Sequence, residues 1–262
     1  SDLIVEIGDP VVIIPSLIKK YKCSDLFLNK DYENYAIERD KKIDGELKKI
    51  DIKLHQFKDQ VIFEEKEILT QSNSPYTIFT PYKNNHLKRI FDEGISLFNC
   101  EPFKKNLAKF KGKPLQSLSE IGFENSNLLS MNLPLGTKGG LALIEDFKKR
   151  IKNYNQLRNF PGKKGVSYLS VHNRFGTVSI RHLAKIALEN SSEGSSTWLN
   201  ELIWRDFYFQ ILSNFPHVDS GKTFKLKYDN LKFENDEKKF EAWTSGKTGF
   251  PIVDAGMRQL NS

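Results

Sequence analysis

The chain has 262 residues, 40 Lys+Arg against 33 Asp+Glu, a formal charge of +7 and 39% hydrophobic residues. That balance excludes a collagen, a disordered tail and a disulfide scaffold, and the length suggests about two domains, each able to bury a core. With only Cys23 and Cys100, no CxxC, no signal-peptide pattern and no long uncharged apolar window, neither a metal site nor a membrane span is expected, and the setting is read as reducing and cytoplasmic.

Residues 3–7 and 24–28 are short apolar runs, and the stretch from Pro15 to Tyr21 between them suits a short helix, giving a βαβ unit. Ile37, Ile43, Leu47 and Ile50 then fall near helical spacing, and a further apolar run follows at 61–63. Strands alternating with helices imply a parallel sheet in the first part of the chain. No GxGxxG follows any of these strands, so a dinucleotide site there has no support. Residues 98–140, rich in Lys, Ser, Asn, Pro and Gly, read as a long connector. Beyond it 141–154, 179–188, 198–212 and 238–243 are helix-like, and a last helix is expected from Pro251.

Charge is uneven. Residues 147–188 hold ten basic side chains, among them Arg158, Lys163, Lys164 and Arg174, and no Asp or Glu. Such a run is either a solvated helix surface or the face of an anion, the phosphates of a nucleic acid or of a bound nucleotide.

Helical spacing sorts 198–208 into two faces. Leu199, Ile203, Phe207 and Ile211 make an apolar row, while Glu201, Trp204, Arg205 and Tyr208 stand at i, i+3, i+4 and i+7 on another. A carboxylate, an indole and a guanidinium together suit a flat polar ligand. The alternative is a core Trp and an ordinary surface ion pair. Near Gly165, Ser167 and Ser170 could meet a pyrophosphate, and Thr177 or Ser179 could cap the next helix. Gly221-Lys222-Thr223 and Gly246-Lys247-Thr248 are not phosphate-binding loops, because Pro216 and Glu241 stand where the first Gly would be. The five His lack metal spacing.

Four strings combine in one order: Phe79-Thr-Pro-Tyr-Lys-Asn84, Phe175-Gly-Thr-Val-Ser-Ile-Arg181, Trp198-Leu-Asn-Glu-Leu-Ile-Trp-Arg-Asp-Phe-Tyr208, and Gly246-Lys-Thr-Gly-Phe-Pro-Ile-Val-Asp-Ala-Gly-Met-Arg-Gln-Leu260. Together they resemble the photolyase/cryptochrome family, most nearly its class I cyclobutane pyrimidine dimer photolyases. The resemblance implies an α/β N-terminal part with an incomplete Rossmann-like parallel sheet, followed by an incomplete all-α FAD-binding domain. Residues 1–97 would be the C-terminal part of the antenna domain, 98–140 an interdomain connector and 141–262 the first part of the helical domain. By the same likeness Tyr154, Val166, Ser167, Tyr168, Leu169, Ser170, Trp198, Glu201 and Arg205 would contact FAD. Arg158, Glu201, Trp204, Arg205 and Tyr208 would meet DNA, with Glu201 and Trp204 as the catalytic pair that hydrogen-bonds and stacks on a flipped dimer.

The implied reaction is light-driven repair of pyrimidine dimers in DNA by electron transfer from reduced FAD, carried out by a monomer. Tyr32 to Asp40 lacks the Asn-Glu pair of folate-binding relatives, so an antenna chromophore, folate or deazaflavin, stays open. A cryptochrome-type light receptor and a basic helical nucleic-acid-binding module are the competing readings. Residues 1–262 alone are expected to leave the FAD site incomplete and to be poorly soluble.

Overall fold

The structure, a computed structural model, describes residues 3–124 and 133–262; residues 125–132, within the expected connector, lie outside it. Packing groups Ser1–Gln116 with Pro134–Gly221 in one unit and Ser117–Leu133 with Lys222–Ser262 in another. The division at 97/98 and 140/141 follows composition and family likeness, and packing is organised otherwise.

In the first unit Asp9 accepts a hydrogen bond from the Val11 N–H at 2.9 Å and, with Pro10 in the first turn, opens helix α1 (Pro10–Tyr21). Strands β1 (Asp25–Asn29) and β2 (Lys53–Phe57) pair in parallel with Asp25 opposite Lys53, and helix α2 (Asn34–Lys48) is the crossover between them. Ile18, Ile43 and Leu47 form a buried cluster, packed against Leu26 and Leu54 of the strands. The βαβ unit is therefore real, but it joins 25–29 to 53–57. Residues 3–7 form no strand, because no neighbouring edge pairs with them among the described residues. The run at 61–63 is buried yet joins no ladder: the N–H groups of Ile62 and Phe63 donate to the Asp206 carboxylate at 2.8 and 3.1 Å.

Helix α3 (Phe79–Glu93), not anticipated from sequence, buries Tyr82, His86 and Ile90. Helix α4 (Gly136–Lys148) starts inside the expected connector. Its Gly139-Gly140 reads as a loop, but Gly140 is a packing glycine: a Cβ there would lie 2.5 Å from Val178 Cγ1. Short helices α5 (Tyr154–Leu157) and α6 (Ser170–Arg174) precede α7 (Ile180–Glu189) and α8 (Glu193–Asn214). Ser179 is the N-cap residue of α7 without a side-chain bond, and Thr177 instead meets His172 Nδ1 at 2.7 Å.

Helix α8 starts at a capping box in which Ser192 Oγ accepts from the Ser195 N–H at 3.1 Å and Ser195 Oγ from the Ser192 N–H at 3.2 Å. It buries Trp198, Leu199, Leu202, Ile203, Asp206, Phe207, Gln210 and Ile211, too wide an arc for a surface helix. It is the spine of the unit, and the expected apolar row is wholly inside.

The second unit contains α9 (Glu237–Thr244), whose N-cap Asp236 accepts from Lys239 N–H at 3.1 Å, and α10 (Pro251–Asn261). The Gly-Lys-Thr-Gly turn before α10 donates the N–H groups of Thr248 and Gly249 to Asp254 at 2.7 and 3.0 Å. Those amides are already satisfied, so the turn cannot cradle a phosphate. Among the described residues no helix is long and apolar enough to cross a membrane.

Candidate functional site

The outer face of α8 carries the expected quartet. Glu201, Trp204, Arg205 and Tyr208, with Phe209 and Leu212, line one open cavity of about 430 Å³. Tyr208 is 63% exposed at its rim, while Trp204 is half-buried with its ring stacked at 5.4 Å and 24° to Tyr208. The carboxyl and the indole therefore reach the same opening, as a stacking and hydrogen-bonding site for a planar ligand requires.

Behind the indole, Phe79 at the first turn of α3 lies face to face with it, centroids 3.5 Å apart and planes within 9°. Phe79 belongs to a quoted string, but nothing in its local spacing reveals this contact, because the two residues are far apart in sequence.

Glu201 is ion-paired with Arg158, whose guanidinium lies 5.8 Å over the Tyr154 ring. The hydrogen bond to Glu201 holds Arg158 above its ordinary value, and burial pushes the Tyr154 phenol up. Tyr154, Arg158 and Glu201 thus form one chain of contacts, bringing together residues the sequence assigned separately to flavin and DNA.

Two expected residues are placed differently. Trp198 is sealed in the core, its ring meeting Phe147 edge-on at 4.8 Å, and it borders none of the α8 cavity. Arg205 lines that cavity with its stem, but its guanidinium is turned inward: it donates to the Gln60 carbonyl and to the Asn173 carbonyl, the latter at 3.5 Å, and lies 4.6 Å over Phe209. Burial lowers its pKa. Spacing puts Arg205 on the ligand face, but the unpaired carbonyl of a distant loop claims its donors. Asp206, unmarked by the sequence reading, works with it: besides Ile62 and Phe63 it meets His86 Nε2 at 3.2 Å, both side chains fully buried.

The loop before α6 presents a second set. Ser167 is half-buried and Val166, Tyr168 and Ser170 are exposed, while Leu169 turns into the core. Arg150 supports the loop by donating to the carbonyls of Val166 at 2.6 Å and Lys164 at 3.1 Å. Tyr168 holds φ at 58°, a left-handed conformation rare for a bulky residue. The Ser167 and Ser170 hydroxyls beside Lys163 are a donor set that fits the diphosphate of a dinucleotide, while the Lys164 ammonium is paired with Asp146 at 3.0 Å.

A family model described as DNA photolyase matches residues 1–104, and one described as the FAD binding domain of DNA photolyase matches residues 198–262. A deoxyribodipyrimidine photo-lyase of Synechococcus is 31% identical over 99% of this chain and 56% of its own length. The crystal structure of a bacterial class III photolyase from Agrobacterium tumefaciens superposes with a TM-score of 0.80 at 26% identity, over 97% of this chain and 54% of the other. A Synechocystis cryptochrome shares the fold, with a TM-score of 0.75 at 22% identity over 99% of this chain and 56% of its own. The chain spans little more than half the length of these proteins.

Proposed function

The chain belongs to the DNA photolyase family, and from this we propose that its activity is the light-driven repair of cyclobutane pyrimidine dimers in DNA, with FAD as cofactor. One observation carries the reading: Glu201 and Trp204 open into the same cavity on α8. Bound and reduced, FAD supplies under light the electron that opens the dimer, and takes it back.

The chain's own residues do the rest. The hydroxyls of Ser167 and Ser170, with Lys163, hold the diphosphate, and Tyr154 packs beside it. Extruding two bases costs a few kcal/mol, least for a damaged step, and the Trp204 indole offsets this by stacking worth ~1–3 kcal/mol per base. Glu201 hydrogen-bonds to the dimer, directly or through a water, and favours the negative charge that develops there. Arg158, now paired with Glu201, exchanges this partner for a DNA phosphate. Tyr208 stands at the rim for a flanking base. A reducing cytoplasm suits the two free, exposed cysteines, and the protein is read as acting as a monomer. A folate or deazaflavin antenna completes the cofactor set.

The test is repair of dimer-containing DNA by the intact, reduced protein under blue light. Glu201→Ala is expected to slow repair roughly a hundredfold, the effect of removing one preorganised donor, with flavin still bound. Flavin binding with neither repair nor preference for damaged DNA would reject the reading in favour of a light receptor.

A further inference from the structure

We propose that Phe79 is a positioning residue for the dimer site: it covers one face of the Trp204 indole so that a single face is presented to the lesion. The inference rests on the reading of the α8 cavity as the dimer site. At 3.5 Å and 9° the two rings are almost eclipsed, with little lateral offset. Isolated aromatic pairs prefer an offset or an edge, so this face-to-face arrangement is held by its surroundings. The holder is Phe207, buried in the core, which meets Phe79 at 5.7 Å and 75° and Trp204 at 5.6 Å and 83°, edge-on to both.

Phe79 does not itself line the cavity that Trp204, Glu201 and Tyr208 border. One side of the indole is therefore filled by Phe79, while at the opening the exposed Tyr208 ring stacks on it at 5.4 Å and 24°, so an incoming base takes the place of Tyr208 there. The clamp comes from two elements distant in the chain, since Phe79 stands at the start of α3 and Trp204 lies in the middle of α8. A base can then stack on the indole without ordering it first, so less conformational entropy is lost on binding.

The experiment uses the intact protein, with Phe79→Ala, Phe79→Tyr and Trp204→Ala, and measures affinity for dimer-containing and undamaged duplexes alongside flavin absorbance. The expected result is that Phe79→Ala weakens dimer binding up to about tenfold, the fold-change that an aromatic pair is worth. Undamaged-DNA affinity and the flavin spectrum should hold, and Phe79→Tyr should restore the preference. Unchanged preference in Phe79→Ala, with preference lost in Trp204→Ala, would overturn the inference and leave the functional reading standing.

A second readout needs no DNA: acrylamide quenching of the Trp204 contribution, taken as the difference from the same protein carrying Trp204→Phe. Quenching that rises in Phe79→Ala supports the cover, and unchanged quenching overturns it. A wild-type protein with no preference for the dimer would sink the functional reading, and quenching would still decide whether Phe79 covers the indole.

Discussion

Glu201 and Asp206 lie on the same helix, yet Glu201 is half-exposed against Arg158 while Asp206 is fully buried and bonded to two backbone amides and His86. The stability effects follow from that difference. Removing Glu201 breaks a solvent-screened pair worth under ~1 kcal/mol. Asp206→Ala strands the Ile62 and Phe63 N–H groups and His86 in a closed interior and is expected to cost about 3–5 kcal/mol. Denaturant midpoints of the two variants check this, and equal midpoints would contradict the roles assigned here. Arg205 belongs with Asp206, since its charge serves the Gln60 and Asn173 carbonyls. Helical spacing identifies the face on which a side chain leaves its helix. It does not identify the partner that captures the end of a long one, and Arg205 shows the limit.

At the scale of elements, α8 begins where Gly194 presses on the chain below it: a Cβ there would meet the Ile151 carbonyl oxygen at 2.2 Å. Gly194→Ala should therefore destabilise the first unit by about 1–3 kcal/mol, despite alanine's higher helix propensity. A lower melting temperature checks this, and a stabilised protein would refute the close approach. The start of α10 depends on pH. The Thr248 hydroxyl, joined by the Thr248 and Gly249 amides, holds the Asp254 carboxyl below its ordinary value. A depressed carboxyl contributes stability that is complete above the unfolded pKa of about 3.9 and fades as pH falls through the folded value. Asp254→Asn should thus speed amide exchange at Thr248 and Gly249 near neutral pH, with the difference from wild type shrinking below about pH 4. A difference that grows in acid would reverse the assignment. The turn also explains the false phosphate-loop string, for its glycines serve a helix cap. Element existence was legible where apolar period was strong, as in α7 and α8. It was not legible for β2, where Lys53, His55 and Gln56 interrupt the run, or for the first turn of α4, whose glycines are there for packing.

At the scale of the whole molecule, the carboxylate-free basic stretch at 147–188 predicts that binding to undamaged DNA weakens steeply with salt. Arg158→Gln should lower the slope of log affinity against log salt by about 0.9, one phosphate contact, on any duplex sequence. An unchanged slope would leave Arg158 as a partner of Glu201 alone. The sequence by itself determined the class of fold, the basic character and the face of α8, since these depend on residue type and local period. Only the tertiary structure decided that Trp198 is core, that Arg205 and Asp206 bind a distant loop, and that Phe79 backs the indole. Each of those outcomes depends on which groups from remote segments meet, and buried donors and acceptors take whatever partner the fold brings within reach.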